Sequence, residues 1–230
     1  FQGNKDTLSV TVDEMIYHAK AVRKGAPDIF LVVDMPFLSY HTTVQEAILN
    51  AGKIIKESGA NAVKIEGGKE IIEKVKGLID AKIPVLGHLG LTPQSVNAFG
   101  GFKVQGKNSK DAKRIFEDAL LLEKAGCFGV VLECVPQKLA KLISEKLSIS
   151  TIGIGAGAFT DGQILVINDI MGMYDDVTPK FVKRFGNVKE EMKKSIDSYV
   201  DEVKNVKFPE EKHAFSIDDG IIEEITGDNK

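Results

Sequence analysis

Tryptophan is missing from the 230 residues, cysteine occurs twice and proline seven times. Two cysteines cannot staple a secreted scaffold, so a reducing, cytoplasmic compartment is expected. No apolar run approaches the ~18 residues of a membrane-spanning helix. Neither sign of charge dominates: 30 Lys and Arg stand against 33 Asp and Glu, a net charge of −3. So even a balance offers no basic field for nucleic acid. Internal repeats and low-complexity stretches are also lacking. The opening FQGNKDTLSV has neither the basic start nor the apolar core of a signal peptide. A chain starting at Phe1 reads as processed, or as beginning inside a longer gene product. What is present is an ordinary globular mixture, 43% hydrophobic and 27% charged. It is enough to bury a core in one or two domains and excludes disorder as the main state.

Short β-branched apolar runs alternate with longer amphipathic stretches. The runs are IFLVVD (29–34), NAVKIE (61–66), IPVLGH (83–88), FGVVLE (128–133), STIGIG (150–155) and QILVIND (163–169). Each is continuously apolar, as a strand covered on both faces of a parallel sheet must be. The stretches between carry helix signals. Thr11 with Glu14 and Thr43 with Glu46 fit capping boxes, Ser109 can cap, and Pro136 suits a first helical position. Met192, Ile196, Tyr199 and Val203 share one helical face within 179–203. Alternating strands and helices imply right-handed βαβ units. An open doubly wound sheet and a (β/α)8 TIM-type barrel both fit that pattern. The barrel is favoured because polar groups recur at the ends of four runs, where barrel enzymes keep their chemistry. Six strands leave such a barrel two short, and the first two would precede Phe1. Residues 1–207 therefore read as one barrel domain, incomplete at its N-terminus, and 208–230 as a surface tail.

Asp34, Glu66, His88 and Glu133 end the first four runs. A carboxylate there loses hydration unless a cation or donor meets it. Asp34 and Glu66 could jointly hold a hard divalent cation such as Mg²⁺, or each could cap a helix. Lys64 and Glu66, two residues apart, point to the same side of a strand, as an anion receptor or a structural ion pair. His88 leads into a long Gly-rich segment, 89–107, of the kind that forms lids and binding loops. Glu133, in so apolar a run, suits general acid–base work. Cys134 is a weak nucleophile candidate without a nearby His. The GIGAG turn (153–157) lacks the spacing of a dinucleotide fingerprint.

The runs VKIEGG (63–68), GHLGLTPQSVN (87–97), GGFKVQG (100–106), VLECVP (131–136) and IGIGAG…TDGQILV (152–166) resemble the ketopantoate hydroxymethyltransferase family from Phe1 to about Phe215. The resemblance implies a (β/α)8 barrel in a homodecamer. It implies transfer of a one-carbon unit from 5,10-methylenetetrahydrofolate to 3-methyl-2-oxobutanoate through a Mg²⁺-stabilised enolate, giving 2-dehydropantoate. By that resemblance Asp34 and Glu66 bind Mg²⁺, Asp34 and Lys64 contact substrate, Glu133 accepts the proton and His88 lines the site. Two departures stand out. A family Asp-Ser pair, which by the resemblance supplies another metal ligand and a substrate contact, would fall just before FQGNKDT, and Asn168 stands where relatives often place His. The alternatives are another Mg²⁺-dependent 2-oxoacid lyase or mutase on the same barrel, and an incomplete barrel that only binds subunits.

Overall fold

The computed structural model describes residues 3–4, 6–95, 103–174 and 178–227. It forms two compact units, Phe1–Leu165 and Val166–Lys230. In the first, α1 (Val12–Gly25) opens on the expected capping box: Thr11 accepts from the Glu14 N–H, and the Glu14 carboxylate accepts from the Thr11 N–H at 2.7 Å. Thr43 likewise accepts from the Glu46 N–H to open α2 (Val44–Ser58). A 3-10 turn, Lys69–Ile71, leads into α3 (Ile72–Asp80). At α4 (Ser109–Ala125) the cap is Asn108, not Ser109, because the Asn108 Oδ1 accepts the Asp111 N–H at 2.9 Å. Pro136 lies immediately before α5 (Gln137–Lys146).

Between these helices run β1 (Val32–Asp34), β2 (Ala62–Glu66), β3 (Val85–Gly90), β4 (Gly129–Glu133), β5 (Ser150–Ile154) and β6 (Gly162–Gln163). They pair in the order β1-β2-β3-β4-β5-β6, every pair parallel. That order never reverses. A doubly wound sheet reverses at its switch point, so the winding is that of a barrel. Among the described residues the sheet has six strands, with β1 and β6 at its edges, and does not close.

Alternate residues of each strand face opposite ways. Val63, Ile65, Leu89, Val130 and Leu132 join Ile54, Val75, Leu78 and Leu122 of the helices in one apolar core. Each such side chain contributes about 1.5–3 kcal/mol by leaving water. The opposite face carries Lys64, Glu66 and His88, and the register sets Asp34 opposite Lys64 and Glu66 opposite His88.

The sixth apolar run behaves differently from the other five. Only Gly162 and Gln163 are strand; Ile167–Met171 is a helix, α6. Short apolar runs do not distinguish strand from buried helix. Here a buried Asp169, bonded by the Tyr174 hydroxyl, and a left-handed Gly172 close a helical turn. Asn168 is thus a helix residue and not a strand-end group. The second unit also holds α7 (Val188–Lys204) and α8 (Asp219–Thr226), neither with a buried residue. The latter helix lies in the stretch 208–230 read as a surface tail. Asp218 opens it by accepting the Gly220 N–H at 2.9 Å. Among the described residues, no helix is long and apolar enough to cross a membrane.

Candidate active site

Register places the ends of β1 to β4 side by side, and their inward side chains meet. Asp34 Oδ1 lies 2.8 Å from Lys64 Nζ. That ammonium is 3.1 Å from His88 Nδ1. His88 Nδ1 is 3.6 Å from Glu66 Oε1, and His88 Nε2 is 3.2 Å from Glu133 Oε2. All five groups singled out in the sequence thus form one continuous cluster. His88 and Glu66 are buried, Lys64 and Glu133 nearly so, while Asp34 stays 47% exposed at the mouth.

Burial opposes the charge on Lys64, but Asp34, and then Glu66 and Glu133, outweigh it and hold the ammonium above its ordinary range. The ammonium is within hydrogen-bond reach of His88 Nδ1, and His88 Nε2 faces Glu133. The Nε2–Oε2 separation suits a hydrogen bond, yet the contact is misaligned and the buried Nε2 has no bonded partner. Catalytic contacts of this kind commonly straighten only when substrate arrives.

The inner face of the unclosed sheet leaves an open hollow of ≈470 Å³ whose lining includes Asp34, Lys64, Leu86, Val131 and Ile152. Among the described residues no group of three or more His, Cys, Asp or Glu side chains forms a metal cage. Asp34 and Glu66 nevertheless both act on the Lys64 charge. Asp34 borders the open space, while Glu66 is buried and lines a separate pocket of ≈170 Å³; Mg²⁺ binds through one or two carboxylates and completes its shell with water and substrate oxygens.

The backbone around the site is tied down. Gly90 has φ +96°, and a Cβ there would lie 2.1 Å from the Glu133 carbonyl oxygen. That close approach lets the Leu91 N–H donate to the same oxygen at 2.8 Å. The space beside Gly68 is taken by the Asp118 carboxylate, which would be 2.2 Å from an added Cβ. Cys134 is no nucleophile: burial, with the Glu133 charge, pushes its thiol up to about 11. Residues 96–102 of the expected lid loop fall outside the described residues, but the part before them reaches the site through Gln94. Sequence reasoning missed Gln94 and Tyr40. The loop's length and glycines pointed to the segment, but nothing in the sequence pointed to Tyr40.

Residues 1–211 match the family model for ketopantoate hydroxymethyltransferase. A protein of Clostridium botulinum (strain Alaska E43 / Type E3), named 3-methyl-2-oxobutanoate hydroxymethyltransferase, is 59% identical over 97% of this chain and 82% of its own length. Similarly named proteins of Clostridium beijerinckii (strain ATCC 51743 / NCIMB 8052) and Clostridioides difficile (strain 630) are 58% and 54% identical, again over 97% of this chain and 82% of theirs.

Proposed function

The chain belongs to the ketopantoate hydroxymethyltransferase family and is a hydroxymethyltransferase, and on that premise we propose the reaction and the role of each side chain. The reaction joins 3-methyl-2-oxobutanoate to the one-carbon unit of 5,10-methylenetetrahydrofolate, with uptake of water, giving 2-dehydropantoate and tetrahydrofolate. The observation that carries this reading is the unbroken contact series Asp34–Lys64–His88–Glu133, with Glu66 on the same imidazole. Three carboxylates there face one ammonium, an excess of two negative charges that a divalent cation neutralises.

Asp34 and Glu66 would hold Mg²⁺. Bound there, the ion supplies Lewis-acid stabilisation of charge developing on the keto oxygen. Lys64 pairs with the substrate carboxylate, and Asp34 borders the same end. Glu133 removes the C3 proton. Water adds to the folate methylene carbon and its C–N bonds break, the two nitrogens taking the water's protons; the electron pair left on C3 forms the new bond to the released formaldehyde carbon, whose oxygen takes the proton from Glu133. His88, with Nε2 3.2 Å from the Glu133 carboxylate, steers that carboxylate before transfer. Homodecameric assembly and a cytoplasmic location belong to the same reading and rest on family resemblance.

Exchange of the substrate C3 proton in D2O, followed by NMR, tests the metal and base assignments together. Exchange is expected with Mg²⁺ and lost on chelation; unchanged exchange after chelation refutes metal assistance. Turnover without the folate would instead indicate a lyase or mutase.

A further inference from the structure

Glu66 is gripped from a direction the reaction chemistry does not explain. The main-chain N–H of Gln94 donates to Glu66 Oε2 at 3.0 Å. The Gln94 side chain donates from Nε2 to the Met35 carbonyl at 2.8 Å, one residue beyond Asp34. Its Oε1 lies 3.1 Å from the Tyr40 hydroxyl. That hydroxyl also accepts the Glu66 N–H at 3.0 Å and lies 3.2 Å from the Glu66 carbonyl oxygen. Tyr40 is itself fully buried and stacks on His41, with ring centroids 4.1 Å apart. One loop residue thus bridges the end of β1 to the end of β2, and one phenol locks it there.

We propose that Gln94, anchored by Tyr40, is the positioning residue for Glu66: it occupies Oε2 and presents Oε1 as the metal-binding oxygen while setting the spacing between Asp34 and Glu66. The geometry selects Oε1 because that oxygen lies on the His88 side, within the cluster. A neutral N–H on Oε2 orients the carboxylate without neutralising it, as a salt bridge would. Outer-shell partners of this kind typically change metal affinity 10- to 100-fold. This inference rests on the Mg²⁺ reading above.

Mn²⁺ titration followed by EPR, with the metal alone as probe, separates the two. Wild type is expected to bind. Gln94→Ala, which removes both side-chain anchors, should weaken Mn²⁺ binding by about 10-fold or more, and Tyr40→Phe by somewhat less. Their effects should not add in the double variant, because both act through the same bridge. At saturating metal, kcat should largely return, leaving the defect in the metal dependence. Tyr40→Phe keeps the buried ring and Gln94 sits in a loop, so circular dichroism and Tm are expected to report folded protein for both. Wild-type Mn²⁺ affinity in both folded variants, even with a lowered Tm, overturns the positioning role and leaves the metal reading standing. No Mn²⁺ binding by wild type overturns both.

Discussion

The two faces of β2 are stabilised by unlike physics. Val63 and Ile65 point outward into the helix layer and are fully buried there. Lys64 and Glu66, interleaved with them, point inward to the cluster of charges. The outward face needs only matched volume, because dispersion and water exclusion have little directional demand. The inward face needs partners at set distances, since a buried charge without one is costly. Neighbouring residues on one strand should therefore fail in different ways when changed: outward ones in stability, inward ones in chemistry.

The sharpest test of that contrast is Glu133→Gln. Turnover should fall by about 10²–10⁴-fold with the melting transition nearly unchanged. Near-normal kcat would move the proton transfer to His88. On the other face, Ile65→Ala should cost about 2–5 kcal/mol in urea unfolding while folded protein keeps its kcat. A large loss of kcat at full folding would erase the distinction between the faces. Gly90→Ala should cross it, because the strained φ and the clash with the Glu133 carbonyl touch both properties. About 1–3 kcal/mol of stability should be lost together with turnover. The smallest effect lies outside the cluster. Asp161 accepts the Thr151 N–H at 2.7 Å, and this bond, with the Thr151 hydroxyl, lowers its pKa. A lowered carboxylate pKa stabilises above the unfolded value, and the gain disappears as pH falls through the folded one. Asp161→Asn should thus lower Tm slightly at pH 6 and lose that difference as pH falls through the lowered folded-state pKa, a modest change because solvent screens the site.

Much of the outward face was legible in advance. Continuous apolar runs identified five strands, and the Thr11 and Thr43 caps held because capping is a bond between near neighbours. The sixth run misled, since apolar residues alone do not say whether Ile167–Met171 coils or extends. In α7 the apolar positions Met192, Ile196, Tyr199 and Val203 fell on a helix as spaced, yet all are exposed. Periodicity states which residues share a face but not what that face meets. On the inward side, residue types and strand-end positions identified Asp34, Lys64, Glu66, His88 and Glu133. The bridge through Tyr40 and Gln94 was invisible, because it joins residues 54 apart whose local sequence serves other needs.

By itself, then, the order of residues determined the alternation of strand and helix, the capped starts of α1 and α2, and the polar groups near the ends of the first four strands. All of these follow from bonds and periodicities spanning a few residues. Tertiary structure alone decided that the strands pair in unbroken order, that five side chains from four strands meet, and that His88 lies between Lys64 and Glu133. Those outcomes depend on distances between groups far apart in the chain, which exist only once the sheet has chosen its register.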